Sequence, residues 1–407
     1  MTTIAILGGG ASGMTAAIAA RESLDNRVLL LERQSRVGRK LLATGNGRCN
    51  LTNLNAAPRN YHGGDPSFAV PALTRFGAED TLQWFRDLGL VTRAEPSGRV
   101  YPLSDTAGSV ADVLRLAANA RGAETVCGFE AAIARKNGGK FIVGSVQGEV
   151  IEADRLIVAC GGPAGGRVGG TKSGCELMKA FGHTVTALRP ALVQLKTDNT
   201  WTRPMKGVRT QAKLTLEHGG AALAEAAGEV QFTDYGVTGP GVFDLSRAAS
   251  FAEAGSVVVL RLLPSMSKVD IINYITNKQM SFPYNKAENI LSGALHNSIA
   301  RTALRRAGIS PEDRLWALSE EAVERLSQLL CRFELPLVGT LGFDDAQVTA
   351  GGAETGGFDP ETMESRLVPG LFACGEVLDI DGDCGGFNLQ WAWSSGRLAG
   401  LAAAGLI

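Results

Sequence analysis

Unbroken apolar runs alternate with helical periodicities along the first part of the chain. Thr3 to Leu7 are all apolar or β-branched, and an Ala-rich stretch to Ala20 follows across a glycine-rich turn. A run without polar alternation suits a strand covered on both faces, as in a parallel sheet, with the Ala-rich stretch a helix packed on it. A second apolar run, Arg27 to Leu31, ends in Glu32. Leu73, Phe76, Leu82, Phe85 and Leu88 recur near helical spacing, which predicts a helix over 71–90. Pro102 followed by Ser104 and Asp105 predicts a strand end and a helix cap, with that helix running to about Arg121. From Glu124 to Asp154 three β-rich stretches, with Asn137-Gly138-Gly139 between two of them, predict a meander containing a hairpin. Arg155 to Gly162 reads as another buried parallel strand ending in a small-residue turn, and Cys175 to Phe181 as a helix.

The pattern changes at Arg189-Pro190. Residues 190–196, Ala212 to His218, Ala221 to Ala224 and Val257 to Leu262 read as strands, and Thr238-Gly239-Pro240 as the start of a helix. Val269 to Lys278, Ala287 to Ala307 and Glu320 to Cys331 then carry helical periodicity. The earlier pattern returns near residue 339, with a strand over Leu371 to Cys374 and a helix from about Asn388. The expected organisation is α/β: a nucleotide-binding domain from 1–188 and 339–407, interrupted by an inserted domain at 189–338, β-rich over 189–264 and helical over 265–338.

The turn after the first strand spells Gly8-x-Gly10-x-x-Gly13, with Ala11 and Ser12 opening the helix. Gly8 permits the tight turn, Gly10 lets a phosphate approach the backbone, and Gly13 lets helix and strand pack closely. The helix N-terminus offers N–H groups and a positive dipole end to a pyrophosphate. Glu32, 24 positions after Gly8, closes the second strand, where an acid binds ribose hydroxyls and disfavours a 2′-phosphate.

Composition narrows the class. With 407 residues, 45% hydrophobic and 20% charged, the chain suits a globular protein of two or three domains. Its 51 glycines exceed the usual share of about 7% and cluster in loops, which suits ligand loops. A net charge of −1 gives no basic footprint, so no nucleic acid is expected. Seven cysteines without C-x-x-C or Cys/His spacing suggest neither a disulfide framework nor a metal site. No leader is evident and no apolar run reaches about 18 residues, so a cytoplasmic location without a membrane is expected.

The polar loop after Glu32 contains G-R-K-L-L-A-T-G-N-G-R-C-N-L-T-N, residues 38–53. This stretch resembles the hallmark loop of bacterial NAD(P)/FAD-dependent oxidoreductases, the aminoacetone-oxidase-like flavoproteins. The family usually has three consecutive glycines where this chain has Gly45-Asn46-Gly47, and Asn tolerates the left-handed conformation. Three further motifs agree: G-R-V-Y-P at 98–102; G-E-V-Q-F-T-D-Y-G-V-T-G-P at 228–240; and T-A-G-G, G-E and D-G-D-C-G-G-F-N-L-Q-W from 349 to 391. The resemblance covers nearly the whole chain. It implies a two-dinucleotide-binding, glutathione-reductase-like FAD fold, with an inserted β-barrel-like and helical domain that covers the flavin. It also implies FAD contacts from Arg33, Arg39, Lys40, Leu41, Thr44, Gly45, Gly47, Arg48 and Asn50. Ala159, Gly161 and Gly162 of the small-residue turn, Gly375 and Glu376 of the last strand, and Gly386, Asn388 and Leu389 of the final helix complete the set. Cys160 stands where Thr is common and reads as a small buried residue; Trp391 and Trp393 read as packing.

The expected function is an FAD-dependent oxidoreductase moving hydride between flavin and a small organic substrate, with NADH or NADPH a candidate transient donor. No second G-x-G-x-x-G marks a nicotinamide domain. Candidate catalytic groups are Tyr101, Cys49 (next to Arg48, whose cation can lower a thiol pKa), Tyr235, and Asp234, which replaces a His common in the family. An amine-type oxidase or dehydrogenase passing electrons to oxygen or a carrier, a flavin-containing RNA-modifying protein, and a non-catalytic FAD-binding protein stand as alternatives. Substrate, reaction direction and oligomeric state are left open.

Overall fold

The computed structural model describes residues 1–407. The chain divides into two compact units, 1–189 with 343–407, and 190–342.

The first unit is built on β1 (Thr2–Leu7), α1 (Ala11–Ala20), β2 (Asn26–Glu32), α2 (Ala107–Ala120), β3 (Glu124–Cys127), β4 (Arg155–Val158), β5 (Leu371–Ala373) and α3 (Phe387–Ala403). Its five strands run parallel in the order β5-β4-β1-β2-β3. Ile4, Ile6, Leu30, Ile157 and Phe372 are buried in its middle, as the unbroken apolar runs require. Helix α1 is buried along almost its whole length, because α3 packs directly against it. A Cβ on Gly396 would lie 2.4 Å from the Ser12 carbonyl oxygen, and one on Gly400 2.4 Å from that of Ala16. Small residues on both helices therefore let the two backbones touch. Gln390 on α3 is fully buried and ties three segments: it accepts from Thr52 Oγ1 at 2.6 Å and donates to the Phe76 carbonyl at 3.0 Å and Thr81 Oγ1 at 2.9 Å.

Several local expectations are corrected here. The stretch 71–90 holds two helices, Val70–Arg75 and Ala78–Asp87; the chain breaks at Phe76-Gly77, where Asp80 accepts from the Gly77 N–H at 3.0 Å and starts the second helix anew. Thr106, rather than Ser104 or Asp105, caps α2. Asp105 sits at φ 51° in the preceding turn and holds Arg93 at 2.6 Å. Glu124–Cys127 leaves the meander and joins the parallel sheet beside β2; the antiparallel meander begins at Ala131 and continues through Lys140–Ser145 and Val150–Ala153. Its hairpin turns on Gly138 and Gly139, both at positive φ as a primed turn demands.

The second unit contains a closed six-stranded barrel of Leu195–Thr197, Gly236–Thr238, Ala221–Phe232, Arg209–His218, Val257–Arg261 and Phe333–Thr340. Along Arg209–His218 the alternation is plain: Ala212, Leu214 and Leu216 point into the core, while Lys213 pairs outside with Glu225 at 2.9 Å. The second hairpin strand extends to Phe232, well beyond the predicted Ala224. The strand that closes the barrel, Phe333–Thr340, comes from a segment whose neighbours read as helical. Helices Pro240–Phe251, Lys268–Ser281, Asn297–Arg306 and Glu320–Cys331 accompany the barrel. The predicted single helix over 287–307 is instead a short turn at Ala287–Asn289 and a helix from Asn297, separated by Gly293 at φ 92°. No helix of the chain is long and apolar enough to cross a membrane.

Candidate functional site: a dinucleotide cradle

The fingerprint glycines divide by what surrounds them. Gly8, at φ 107°, would place a Cβ 2.4 Å from the Ala159 carbonyl oxygen, and Gly13 would place one 1.8 Å from that of Gly8. Both are demanded by the protein's own packing. Around the Cβ position of Gly10 there is no atom within 4 Å, and its extended backbone needs no glycine. Gly10 is also the N-cap of α1 and caps it with no side chain, so first-turn N–H groups face an open cradle suited to a pyrophosphate. Glu32 is fixed beside it, with Oε2 accepting the Gly9 N–H and Oε1 the Gln34 N–H, each at 2.7 Å.

Motifs far apart in sequence converge on the same unit. Lys40 Nζ of the hallmark loop donates to Glu376 Oε2 at 2.7 Å. Glu376 Oε1 accepts the Thr349 N–H at 2.8 Å, and Thr349 Oγ1 accepts the Ala164 N–H at 3.0 Å. A Cβ on Gly162 would lie 2.4 Å from Thr349 Oγ1, so this junction tolerates only glycine there. Gly161 and Gly375 both adopt left-handed backbone, at φ 69° and 74°. A Cβ on Gly375 would lie 2.6 Å from Ser12 Oγ, which joins this turn to α1. Arg33 reaches the carbonyls of Gly169 and Gly170 at 2.9 and 3.3 Å, and Arg39 holds Gln34 Oε1 at 2.6 Å and reaches the Arg167 carbonyl at 3.5 Å. The two arginines therefore brace the glycine-rich loop at 163–174.

The hallmark loop itself is left-handed at Gly45, Asn46, Gly47 and Cys49, which accounts for its Gly and Asn content. Thr44 Oγ1 holds the Leu41 carbonyl at 2.7 Å, and Leu41 is buried in the core. Asn50 Oδ1 is buried with no hydrogen-bond partner, and a Cβ on Gly386 would lie 2.9 Å from it. A buried acceptor left unpaired costs about 1–3 kcal/mol, so this one is set for a donor from outside the chain. It lies where Gly385 and Gly386, at φ 139° and 103°, lead into α3. A flavin ring N–H is a donor of that kind. Asn388 spends its amide on the same turn, accepting from the Gly382 N–H and donating to the Gly382 carbonyl, both at 2.8 Å. Leu389 is partly buried against the core.

The catalytic candidates stand in different settings. Cys49 is fully buried and burial pushes its thiol up to about 12, which corrects the expectation of a thiol activated by Arg48. The Arg48 guanidinium lies instead over the Tyr101 ring, 4.3 Å from its centroid, and 3.7 Å from Glu95. Tyr101 is buried between Arg48 and Arg93, beside Gly45. Asp234 and Tyr235 belong to the barrel unit. Lys206, 2.5 Å from Asp234, holds its carboxyl below the usual range, so Asp234 is ionised at neutral pH and has no proton to give.

The sequence reading missed one arrangement in the nucleotide unit. His62 Nε2 lies 2.7 Å from Asp383 Oδ1, and Asn60 Nδ2 donates to Asp383 Oδ2 at 3.0 Å. The only signals were one of four histidines and a third acid in Asp379-x-Asp381-x-Asp383.

A parallel sheet carrying a G-x-G-x-x-G cradle and an acid after its second strand defines a dinucleotide-binding protein, and its relatives make it an FAD-dependent oxidoreductase. The chain belongs to the HI0933-like protein Rossmann domain family, whose model matches residues 2–402. It is 40% identical over 408 residues to the 3-dehydro-bile acid delta(4,6)-reductase of Clostridium scindens, covering 99% of each chain. It is 30% identical over 393 residues to the ribosomal RNA dihydrouridine synthase of Escherichia coli, covering 96% of this chain and 95% of the relative. Among solved structures, the 3-ketosteroid delta1-dehydrogenase of Sterolibacterium denitrificans shares the fold with a TM-score of 0.52 at 11% identity, all of both chains being covered.

Proposed function

We propose that the protein reduces a carbon–carbon double bond conjugated to a carbonyl in a small, steroid-like molecule, with NADH or NADPH as the donor that reloads the flavin. The observation that carries this reading is the 40% identity, end to end, to a reductase of a 3-oxo steroid. The second relative makes a dihydrouridine, and that product also arises by adding hydrogen across a double bond conjugated to a ring carbonyl. The two relatives differ in substrate and agree in chemistry.

Bound FAD supplies the hydride transfer. The chain's own residues are assigned as follows. Gly10 and the first turn of α1 hold the pyrophosphate, and Glu32 holds the adenosine ribose. Lys40, Glu376 and Thr349 form a polar cluster for the ribityl chain. Asn50 and the N-terminus of α3 hold the ring, where the helix dipole favours negative charge on the reduced flavin. Seven cysteines outside any disulfide accord with a reducing compartment and so with a cytoplasmic enzyme.

An RNA substrate is the second reading, carried by the 30% relative; the net charge of −1 weighs against it. The test is an anaerobic titration with NADPH and NADH that follows the visible flavin band, then addition of a 3-oxo-Δ4 steroid or of a uridine-containing transcript. Bleaching by a nicotinamide and recovery with the steroid is expected. Recovery with RNA alone reverses the substrate class. A flavin that neither nucleotide reduces removes the donor and brings the amine-oxidase alternative forward.

A further inference from the structure

We infer that His62, held by Asp383, is the proton donor of this reaction; the inference rests on the reductive reading above. Conjugate reduction needs two deliveries. Hydride brings two electrons and a hydrogen nucleus to the β carbon and breaks the C=C π bond, leaving an enolate. The α carbon then takes a proton from an acid. That acid loses only the proton and regains one from water, so substrate, one hydride and one proton balance the saturated carbonyl product.

Two of the acids considered above are set against this step. Cys49 is fully buried with its proton held to about 12, and the Tyr101 ring is buried between two arginines. Of the four histidines, His183 is buried, stacked 4.3 Å from Phe358 and bonded to Ser365. His296 caps a helix through Nδ1. His218 bonds Ser256 and lies 3.7 Å from Glu253 in the barrel unit. His62 alone meets a carboxylate at hydrogen-bond distance.

Its setting is built rather than incidental. Tyr61–His62 pairs antiparallel with Asp381–Gly382, the strand that runs through Asp383 into Gly385, Gly386 and α3. This is the same turn that faces the unpaired Asn50 oxygen. Asp383 is restrained at three points besides His62: Asn60 donates to its carboxylate at 3.0 Å, its N–H donates to the Asn60 carbonyl at 3.0 Å, and Asn388 donates to its carbonyl at 3.3 Å. The His62 and Asp383 side chains are 36% and 32% exposed, open enough for a ligand. Asp383 engages Nε2, which leaves Nδ1 as the nitrogen that delivers the proton. A carboxylate at this distance fixes the ring's orientation and sets its tautomer, which makes Asp383 a positioning residue.

The experiment uses FAD-loaded enzyme, reduced anaerobically with a nicotinamide and mixed rapidly with the 3-oxo-Δ4 steroid. His62→Gln should keep its flavin and its reduction rate, yet slow substrate-driven reoxidation about 100-fold with KM within about twofold. Asp383→Asn should slow it about tenfold. A second readout is independent of turnover. In nitrogen-15 NMR, neutral His62 should carry its proton on Nε2 in the wild type and move it to Nδ1 in Asp383→Asn, whose amide can donate to Nε2. Reoxidation of His62→Gln at the wild-type rate would overturn the assignment, and so would an unchanged tautomer in Asp383→Asn. If neither the steroid nor RNA reoxidises the wild-type flavin, the reductive reading itself fails and the role of His62 falls with it.

Discussion

Replacing Gly10 and Gly13 by alanine separates ligand contact from packing within one motif. At Gly13 the new methyl would lie 1.8 Å from the Gly8 carbonyl oxygen, and neither backbone can yield without parting β1 from α1. Overpacking of this kind costs about 1–3 kcal/mol and more where backbone must move, so Gly13→Ala should unfold at clearly lower urea even without FAD. At Gly10 the methyl meets no protein atom within 4 Å and the backbone is already extended. Its cost to the apoprotein is that of a poorer N-cap, below about 1 kcal/mol. The same methyl occupies the space a pyrophosphate needs. Loss of one charge-assisted hydrogen bond, about 1.5–3 kcal/mol, weakens FAD binding about 10- to 100-fold. The assay is urea unfolding of the two apoproteins, paired with FAD titration by fluorescence quenching. Wild-type FAD affinity in Gly10→Ala would refute the placement of the pyrophosphate over α1. An unperturbed Gly13→Ala would refute the packing argument.

Three other outcomes are expected. Burial pushes the thiols of Cys49, Cys160 and Cys374 up to about 12 from about 9; above pH 9 the unfolded chain releases these protons while the native one keeps them, so stability falls as pH rises from about 9 to about 12. The urea midpoint followed over that range should drop less steeply in Cys160→Ala, and a flat wild-type profile contradicts this. Gln390→Leu strands Thr81 and Thr52, while the Phe76 carbonyl keeps its 2.6 Å bond from Ser394 Oγ, and should cost about 2–4 kcal/mol in urea unfolding; a change under 1 kcal/mol would show that the network is dispensable. Gly400→Ala sets a methyl 2.4 Å from the Ala16 carbonyl oxygen and should cost about 1–3 kcal/mol, with a wild-type melting temperature as the contrary result.

Much of the first unit was legible because its signals are local. A buried parallel strand has to be apolar throughout, and a phosphate turn has to be glycine where a Cβ meets a carbonyl. β1, α1, β2 and β4 therefore announced themselves, as did the cradle between them. Errors fell where neighbours decided. Glu124–Cys127 has the composition of a meander strand, and only its pairing with Leu29–Glu32 puts it in the parallel sheet. Phe333–Thr340 is a strand because the barrel leaves an edge between Val257–Arg261 and Leu195–Thr197 for it to close.

The site followed the same division. By itself the amino-acid order determined the family, the fingerprint and the dinucleotide class, because each depends on residue types at short fixed spacing. Only the tertiary structure decided which of those residues face open space. Gly10 and Gly13 look alike in the sequence, and a difference of more than 2 Å in the room around each separates a position left open from one filled by packing. Cys49 follows an arginine in the chain, yet the fold turns that guanidinium onto Tyr101 and buries the thiol. His62 and Asp383 stand 321 residues apart. A hydrogen bond needs contact within about 3 Å, and contact across that separation exists only once the chain has folded.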